Sequence, residues 1–194
     1  MSFPATSLRA WAMPRASVLS NATLVLGGVM VLGALAQIAI PVPGSPVPVT
    51  GQTLGVLLVG TTYGLSLGAA TFALYLLAGI AGAPIFAGQS FGIEKITGAT
   101  GGYLIGMFIA TYFLGFVARK RLDQKISTAL PSMIIASVIT FSFGLTWLHH
   151  FTGQSWGWTI NAGLTPFIVG EFIKIAIAGT SLPLLWRFVN RKNA

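Results

Sequence analysis

Glu171 and Lys174 stand three positions apart inside an otherwise apolar stretch, Pro166-Phe-Ile-Val-Gly170-Glu171-Phe-Ile-Lys174. On a helix that spacing places an acid and an amine on one face. Counted from Leu164 at about 1.5 Å per residue, Glu171 lies about 10 Å below the outer end of its helix, where a lone charge in hydrocarbon would cost roughly 2.5 kcal/mol or more. The pair must therefore turn inward. There it can bolt neighbouring helices together, or it can meet a ligand, the amine donating to a carboxylate or carbonyl and the acid accepting from N–H groups.

Two further segments have the composition of a binding site. Four prolines fall in the eight residues from Pro41 to Pro48, which forbids helix and favours a stiff extended segment that must face water or pack into protein. It is either a rigid outer turn or the edge of a cavity, with Gln52 and the hydroxyls of Thr50 and Thr53 as fixed hydrogen-bond partners. Residues 82–102, GAPIFAGQSFGIEKITGATGG, are too polar and glycine-rich for a membrane span and too apolar for a solvated loop. They suit a lid, in which Phe86 and Phe91 cover an apolar ligand, Gln89 and Ser90 offer polar contacts, and Gly82, Gly88 and Gly92 bend. The alternative is a re-entrant loop packed for stability. Glu94 and Lys95 read as a solvated pair.

Other chemistries lack their residues. There is no cysteine, hence no thiolate metal site and no thiol nucleophile, and two histidines are too few for a closed zinc site. No second acid lies within a span beside Glu171, and His149-His150 sits at a helix end, so an intramembrane enzyme is not expected. No GxxxxGK[ST] loop is present, so any ATP would be hydrolysed by other subunits.

The elements that hold these groups follow from composition. Of 194 residues, 54% are hydrophobic and 7% charged, against about a quarter charged in soluble domains. Fourteen formal charges, 11 basic and 3 acidic, cannot cover a water-facing surface, so much of the solvent is lipid. Apolar runs bounded by charge, Pro or Gly give about six spans, at about 22–40, 50–62, 65–81, 103–117, 130–148 and 164–185. The expectation is an all-α polytopic membrane protein of one domain, residues 1–194. A segment 1–20 precedes a six-helix bundle at about 22–190.

Arg9, Arg15, Arg119, Lys120, Arg121, Lys125, Arg187, Arg191 and Lys192 fall on one side of this arrangement and Lys95 alone on the other. Both termini are therefore expected in the cytoplasm. Basic residues at the ends of apolar runs describe topology rather than a nucleic-acid-binding face. Trp147, Trp156 and Trp158 would mark the outer interface, and Trp11 and Trp186 the inner one. Gly98, Gly102, Gly106 and Ala110 give the fourth span a smooth face for close packing, and Gly64 and Gly68 begin another on the third. A rival reading takes the first apolar run, ending Ala34-Leu35-Ala36, as a cleaved signal peptide.

Three patches in register resemble the BioY family, the biotin-specific S components of energy-coupling factor (ECF) vitamin transporters. The first is Ala36-Gln37-Ile38-Ala39-Ile40-Pro41 leading to Pro46-Val47-Pro48-Val49-Thr50 and Gln52-Thr53. The second is Gly82-x-Pro84-x-Phe86-Ala87-Gly88, continuing to Gly98-x-Thr100-Gly101-Gly102-Tyr103. The third is Pro166-Phe167-x-x-Gly170-Glu171-x-x-Lys174. Ala99 stands where the family usually has Pro, and Glu171 where Asp is commoner. Gly28, Leu32 and Ala36 give an interrupted form of the small-xxx-small stripe by which such proteins dock on their coupling subunit.

The resemblance implies an S-component fold and high-affinity biotin uptake at the cell membrane, without catalysis or a cofactor. It also implies a transmembrane coupling subunit and ATPase subunits as partners. Glu171, Gln52 and Thr50 would serve the ureido group, and Lys174 the carboxylate or the ureido oxygen. Phe86, Phe91 and Tyr103 would meet the apolar body, with Gln89 in the covering segment.

Overall fold

The computed structural model describes residues 7–15 and 17–191, apart from the side chains of Asn190 and Arg191; Lys192 lies outside the described residues. After a short α1 (Leu8–Ala12), helices α2 (Val18–Gln37), α3 (Gln52–Tyr63), α4 (Leu65–Ile80), α6 (Gly101–Arg119), α7 (Ile126–Thr152) and α9 (Ile168–Arg191) pack as a bundle. Two shorter helices, α5 (Ile93–Thr97) and α8 (Trp156–Gly163), lie in the connections. Among the described residues four stretches are long and apolar enough to cross a bilayer: Val18–Gln37, Gly101–Arg119, Ile126–Thr152 and Trp156–Val189. Leu65–Ile80 is apolar but shorter. Exposed Leu26, Met30, Val138, Phe172, Ile173 and Ile177 leave the outside of the bundle as greasy as its interior, which is what a lipid solvent requires.

Small residues set the helix spacing. A Cβ on Gly102 would lie 2.2 Å from Cβ of Trp147, and one on Gly106 would lie 2.8 Å from the carbonyl oxygen of Thr140. The smooth face expected on the fourth span is thus the contact with α7. Gly98 is not part of it, because it caps α5 before α6 begins at Gly101. A Cβ on Gly68 of α4 would lie 3.3 Å from Cα of Gly60 of α3 and 3.5 Å from Cγ2 of Thr111 of α6. Gly64 joins α3 to α4 with φ of +78°, a conformation costly for residues with a Cβ. Gly28, Leu32 and Ala36 of α2 are buried inside the bundle. The stripe expected to dock on a partner therefore packs on α3 and α4, and a Cβ added at Gly28 would lie 2.6 Å from Cγ2 of Thr71 and 2.9 Å from the Tyr63 ring.

The proline-rich segment forms the tip of a small antiparallel hairpin, β1 (Ala39–Ile40) with β2 (Val49–Thr50), in register Ala39 to Thr50 and Ile40 to Val49. Ladder hydrogen bonds satisfy the flanking backbone. Residues 41–48 are not the extended segment expected but turn back between the strands, with Gly44 at φ of +78° and the N–H of Ser45 donating to the carbonyl of Val42 at 3.0 Å.

At the opposite end of the bundle Trp186 is not an interfacial anchor. Its ring is buried and donates from Nε1 to Oδ2 of Asp123 at 2.6 Å, in the turn between α6 and α7. Asp123 is 1% exposed, and its Oδ1 has no hydrogen-bond partner among the described residues. Burial pushes this carboxyl up from 3.8 to about 6, against the opposing pull of the Trp186 hydrogen bond and the Arg121 charge. The folded protein therefore holds this proton more tightly than the unfolded chain. The contribution is fully present below about pH 4 and is lost as pH rises through about 6, at about 1.4 kcal/mol per unit between them. Thermal unfolding in detergent is expected to show a higher midpoint at pH 5 than at pH 7.5, with Asp123→Asn flattening that slope. An unchanged slope would assign it to another group.

Candidate functional site

The starts of α3, α6 and α9 and the later half of α7 converge beneath the hairpin and residues 82–100. Between them lies a cavity of about 730 Å³ of atom-free space, counting its open mouth. Pro46, Val47, Pro48 and Thr50 form one wall, Gln52 and Thr53 the start of α3, and Phe86, Ala87, Ser90 and Lys95 the cover. Tyr103, Leu104 and Met107 of α6, Thr140 and Phe141 of α7, and Phe167, Glu171 and Lys174 complete it.

Glu171 is 6% exposed and sits in the first turn of α9. The stretch expected to lead into it as helix breaks instead at Leu164 (φ −126°) and passes through a 3-10 turn, Thr165–Phe167, containing Pro166. The acid is therefore near the positive end of its helix dipole rather than 10 Å down a continuous helix. The hydroxyl of Thr53 donates to Oε2 of Glu171 at 2.8 Å and that of Ser137 to Oε1 at 2.6 Å. Lys174 Nζ donates to Oγ1 of Thr53 at 2.9 Å and lies 3.4 Å from Oε2 of Glu171. Thr53 thus relays between amine and acid; Oε2 of Glu171 accepts from both Thr53 and Lys174, whereas Oε1 accepts from Ser137 and keeps a lone pair to spare.

A second polar arm starts at Gln52. Its Nε2 donates to Oη of Tyr75 at 2.8 Å, Tyr75 donates to the carbonyl of Ile85 at 3.1 Å, and Oγ1 of Thr50 donates to Oε1 of Gln52 at 3.1 Å. The chain holds the Gln52 amide in one orientation and ties α3 to the covering segment through α4. Opposite these arms Tyr103, Phe141 and Phe167 form an aromatic box. Tyr103 and Phe167 stack at 6.2 Å between centroids, and Phe141 meets each of them edge-on at 6.0 and 5.8 Å. Tyr103 is fixed by donating to the carbonyl of Gly163 at 2.8 Å.

Of the residues expected here, Thr50, Gln52, Phe86, Tyr103, Glu171 and Lys174 line the one cavity. Gln89 does not: its side chain is exposed, and its backbone N–H donates to Oε1 of Gln37 at 2.9 Å. Phe91 is 57% exposed and lies outside the lining. Both stand at a tip that bends at Gly88 and Gly92, with φ of +68° and +92°, and this turns them outward while Phe86 and Ser90 face in. Lys95 proves to be at the cavity mouth although exposed. Ser137 and Phe141 carry no mark in the sequence, and Phe167 is marked only as a member of the third patch, with no role given it; a buried acid needs donors, and Ser137 was a hydroxyl in the right span.

The charged groups are thus one acid and two amines against an aromatic wall, a cavity suited to a mostly apolar molecule with N–H donors and one negative charge. The BioY family model matches residues 8–191. The biotin transporter BioY2 of Lactococcus lactis subsp. cremoris (strain MG1363) is 32% identical over 167 residues, covering 84% of this chain and 90% of that protein. The probable biotin transporter BioY of Pyrococcus horikoshii is 36% identical over 143 residues, covering 74% and 82%. Among solved structures, the S-component for biotin from an ECF-type ABC transporter superposes with a TM-score of 0.79 at 21% identity, covering 87% of this chain and 92% of that one. With its helical fold and its three matching patches around one cavity, the chain belongs to the BioY family.

Proposed function

We propose that this chain captures biotin from outside the cell and carries it inward as the substrate-binding component of an ECF transporter, a carrier and not an enzyme. The observation that carries this reading is the juxtaposition of the Glu171–Thr53–Lys174 cluster with the box of Tyr103, Phe141 and Phe167 in one cavity. The relatives named as biotin transporters and the biotin S-component with the same fold support it. The fused rings of biotin fit the aromatic wall. Its ureido N–H groups meet the spare lone pair on Oε1 of Glu171 and that on Oε1 of Gln52 beside Thr50, and its ureido oxygen meets Lys174. Its carboxylate reaches Lys95 at the mouth, so the two amines and one acid leave one positive charge for one negative.

In this reading the six bundle helices all cross the lipid bilayer as one domain, the bundle spanning about 22–190. The cavity opens outward, and Arg9, Arg15, Arg119, Lys120, Arg121, Lys125 and Arg187 lie at the cytoplasmic end with both termini. The segment 1–20 is cytoplasmic, although 1–6 and 16 fall outside the described residues. A transmembrane coupling subunit and ATPase subunits supply the energy.

Calorimetric titration of the purified protein is expected to register biotin binding that a tenfold excess of thiamine or riboflavin leaves unchanged. Equal competition by either vitamin would assign the cavity to another ligand, and absence of biotin binding would end the proposal.

A further inference from the structure

A second cavity lies at the end of the bundle opposite the first, among α1, the start of α2, the α3–α4 turn and the end of α6. It has about 840 Å³ of atom-free space, counting its open side, and Arg9 and Arg119 both line it. The whole chain has three acidic side chains, Glu94, Asp123 and Glu171, and none of them lines this cavity. Asp123 and Glu171 are engaged with Trp186 and with Lys174 and Thr53. The Nη2 of Arg9 donates to neutral Asn21, and its Nε is buried with no partner among the described residues. Two guanidiniums therefore share a cavity that no acidic side chain lines.

The floor adds donors of a different kind. The start of α4, at Leu65, Ser66 and Leu67, lines the same cavity. It has no side-chain cap, and its first backbone hydrogen bond runs from Gly68 to Gly64. The preceding amides have no intrahelical acceptor and carry the positive end of the helix dipole.

We propose that this cavity binds a phosphate group, held between the forks of Arg9 and Arg119 and the first amides of α4. A guanidinium matches two phosphate oxygens at once, and a helix N-terminus with open amides accepts a third. Exposed Val18 lies about one turn before Asn21, and exposed Phe116 about one turn before Arg119. Apolar flanks of this kind fit acyl chains beside the charge, so an anionic lipid headgroup is the source the surface favours over free phosphate.

The test compares the protein with Arg9→Gln/Arg119→Gln and with a control of equal charge loss at the same end, Arg15→Gln/Arg187→Gln. Each is titrated with dihexanoyl phosphatidylglycerol and, separately, with inorganic phosphate, following the thermal midpoint. Saturable stabilisation by the lipid, weakened about tenfold or more in the first variant and less than about twofold in the control, supports the site with a lipid source. The same pattern with inorganic phosphate alone supports the site and reassigns the source. No saturable stabilisation by either probe, or equal losses in both variants, overturns the proposal. Biotin binding by each variant reports that it is folded. If the double variant fails that check, Arg119→Gln, at an exposed residue, carries the same comparison against Arg187→Gln.

Discussion

Lys174→Met is expected to weaken biotin binding by about a hundredfold or more, the scale of losing a buried charge-assisted contact at roughly 3 kcal/mol. The same substitution strands Glu171, which is 6% exposed, without its amine, so the protein should also unfold at lower temperature. Glu171→Gln is expected to cost binding on the same scale by a different route. The carboxylate accepts from both Thr53 and Ser137, whereas an amide can accept through one terminal atom only, so one hydroxyl must turn away.

The double variant Glu171→Gln/Lys174→Met separates a helix bolt from a ligand site. Removing both charges together relieves the stranded partner, so thermal stability should return toward that of the parent. Binding should not return, because the groups that meet the ligand are gone. Calorimetric titration and thermal unfolding of all three variants measure this. Recovery of biotin affinity in the double variant would show that the pair only joins helices.

The second large effect concerns folding. Gly102→Val should remove most folded protein, and Gly102→Ala should lower the unfolding midpoint by about 6–12 °C, equivalent to about 3 kcal/mol of overpacking. A Cβ at this position would lie 2.2 Å from Cβ of Trp147 and 2.5 Å from the carbonyl oxygen of Phe143. Neither obstacle is the end of a flexible side chain, so α6 and α7 would have to separate. Trp147 also donates from Nε1 to the carbonyl of Gly98 at 2.8 Å, just before Thr100 and Tyr103 enter the cavity, so the disturbance would reach the site. Gly27→Ala provides the contrast, since its Cβ meets nothing within 4 Å and little change is expected. Size-exclusion profiles and unfolding midpoints check both, and a monodisperse, fully stable Gly102→Val protein would contradict the packing argument.

Much of the architecture was readable because lipid demands long apolar runs, and those runs fall within a few residues of α2, α3, α4, α6, α7 and α9. The patches that resemble the family also placed most of the cavity, since Thr50, Gln52, Phe86, Tyr103, Glu171 and Lys174 each belong to one of them or adjoin it. What escaped was direction. In residues 82–92 glycines with positive φ remove any periodicity, so nothing in the order of residues said that Phe86 would face in while Gln89 and Phe91 faced out. Depth escaped for a related reason: Pro166 and Leu164 divide one apolar run into α8, a 3-10 turn and α9, which moved Glu171 to a helix start. Trp186 illustrates a third limit, because a tryptophan near a span end reads as an interfacial anchor until a buried acid is found beside it.

The two ends of the covering segment are secured very differently. Phe86 is buried against the edge of Tyr75 at 5.4 Å, whereas at the tip Gln37, itself exposed, accepts from the N–H of Gln89 and donates to the carbonyl of Phe86 at 3.1 Å. The bond to Gln89 is solvent-accessible and worth about 1 kcal/mol, so the tip can part from Gln37 while Phe86 stays seated. Loosening of the tip alone would leave the inner part of the doorway shut, so release of a vitamin would require Phe86 to leave its seat against Tyr75.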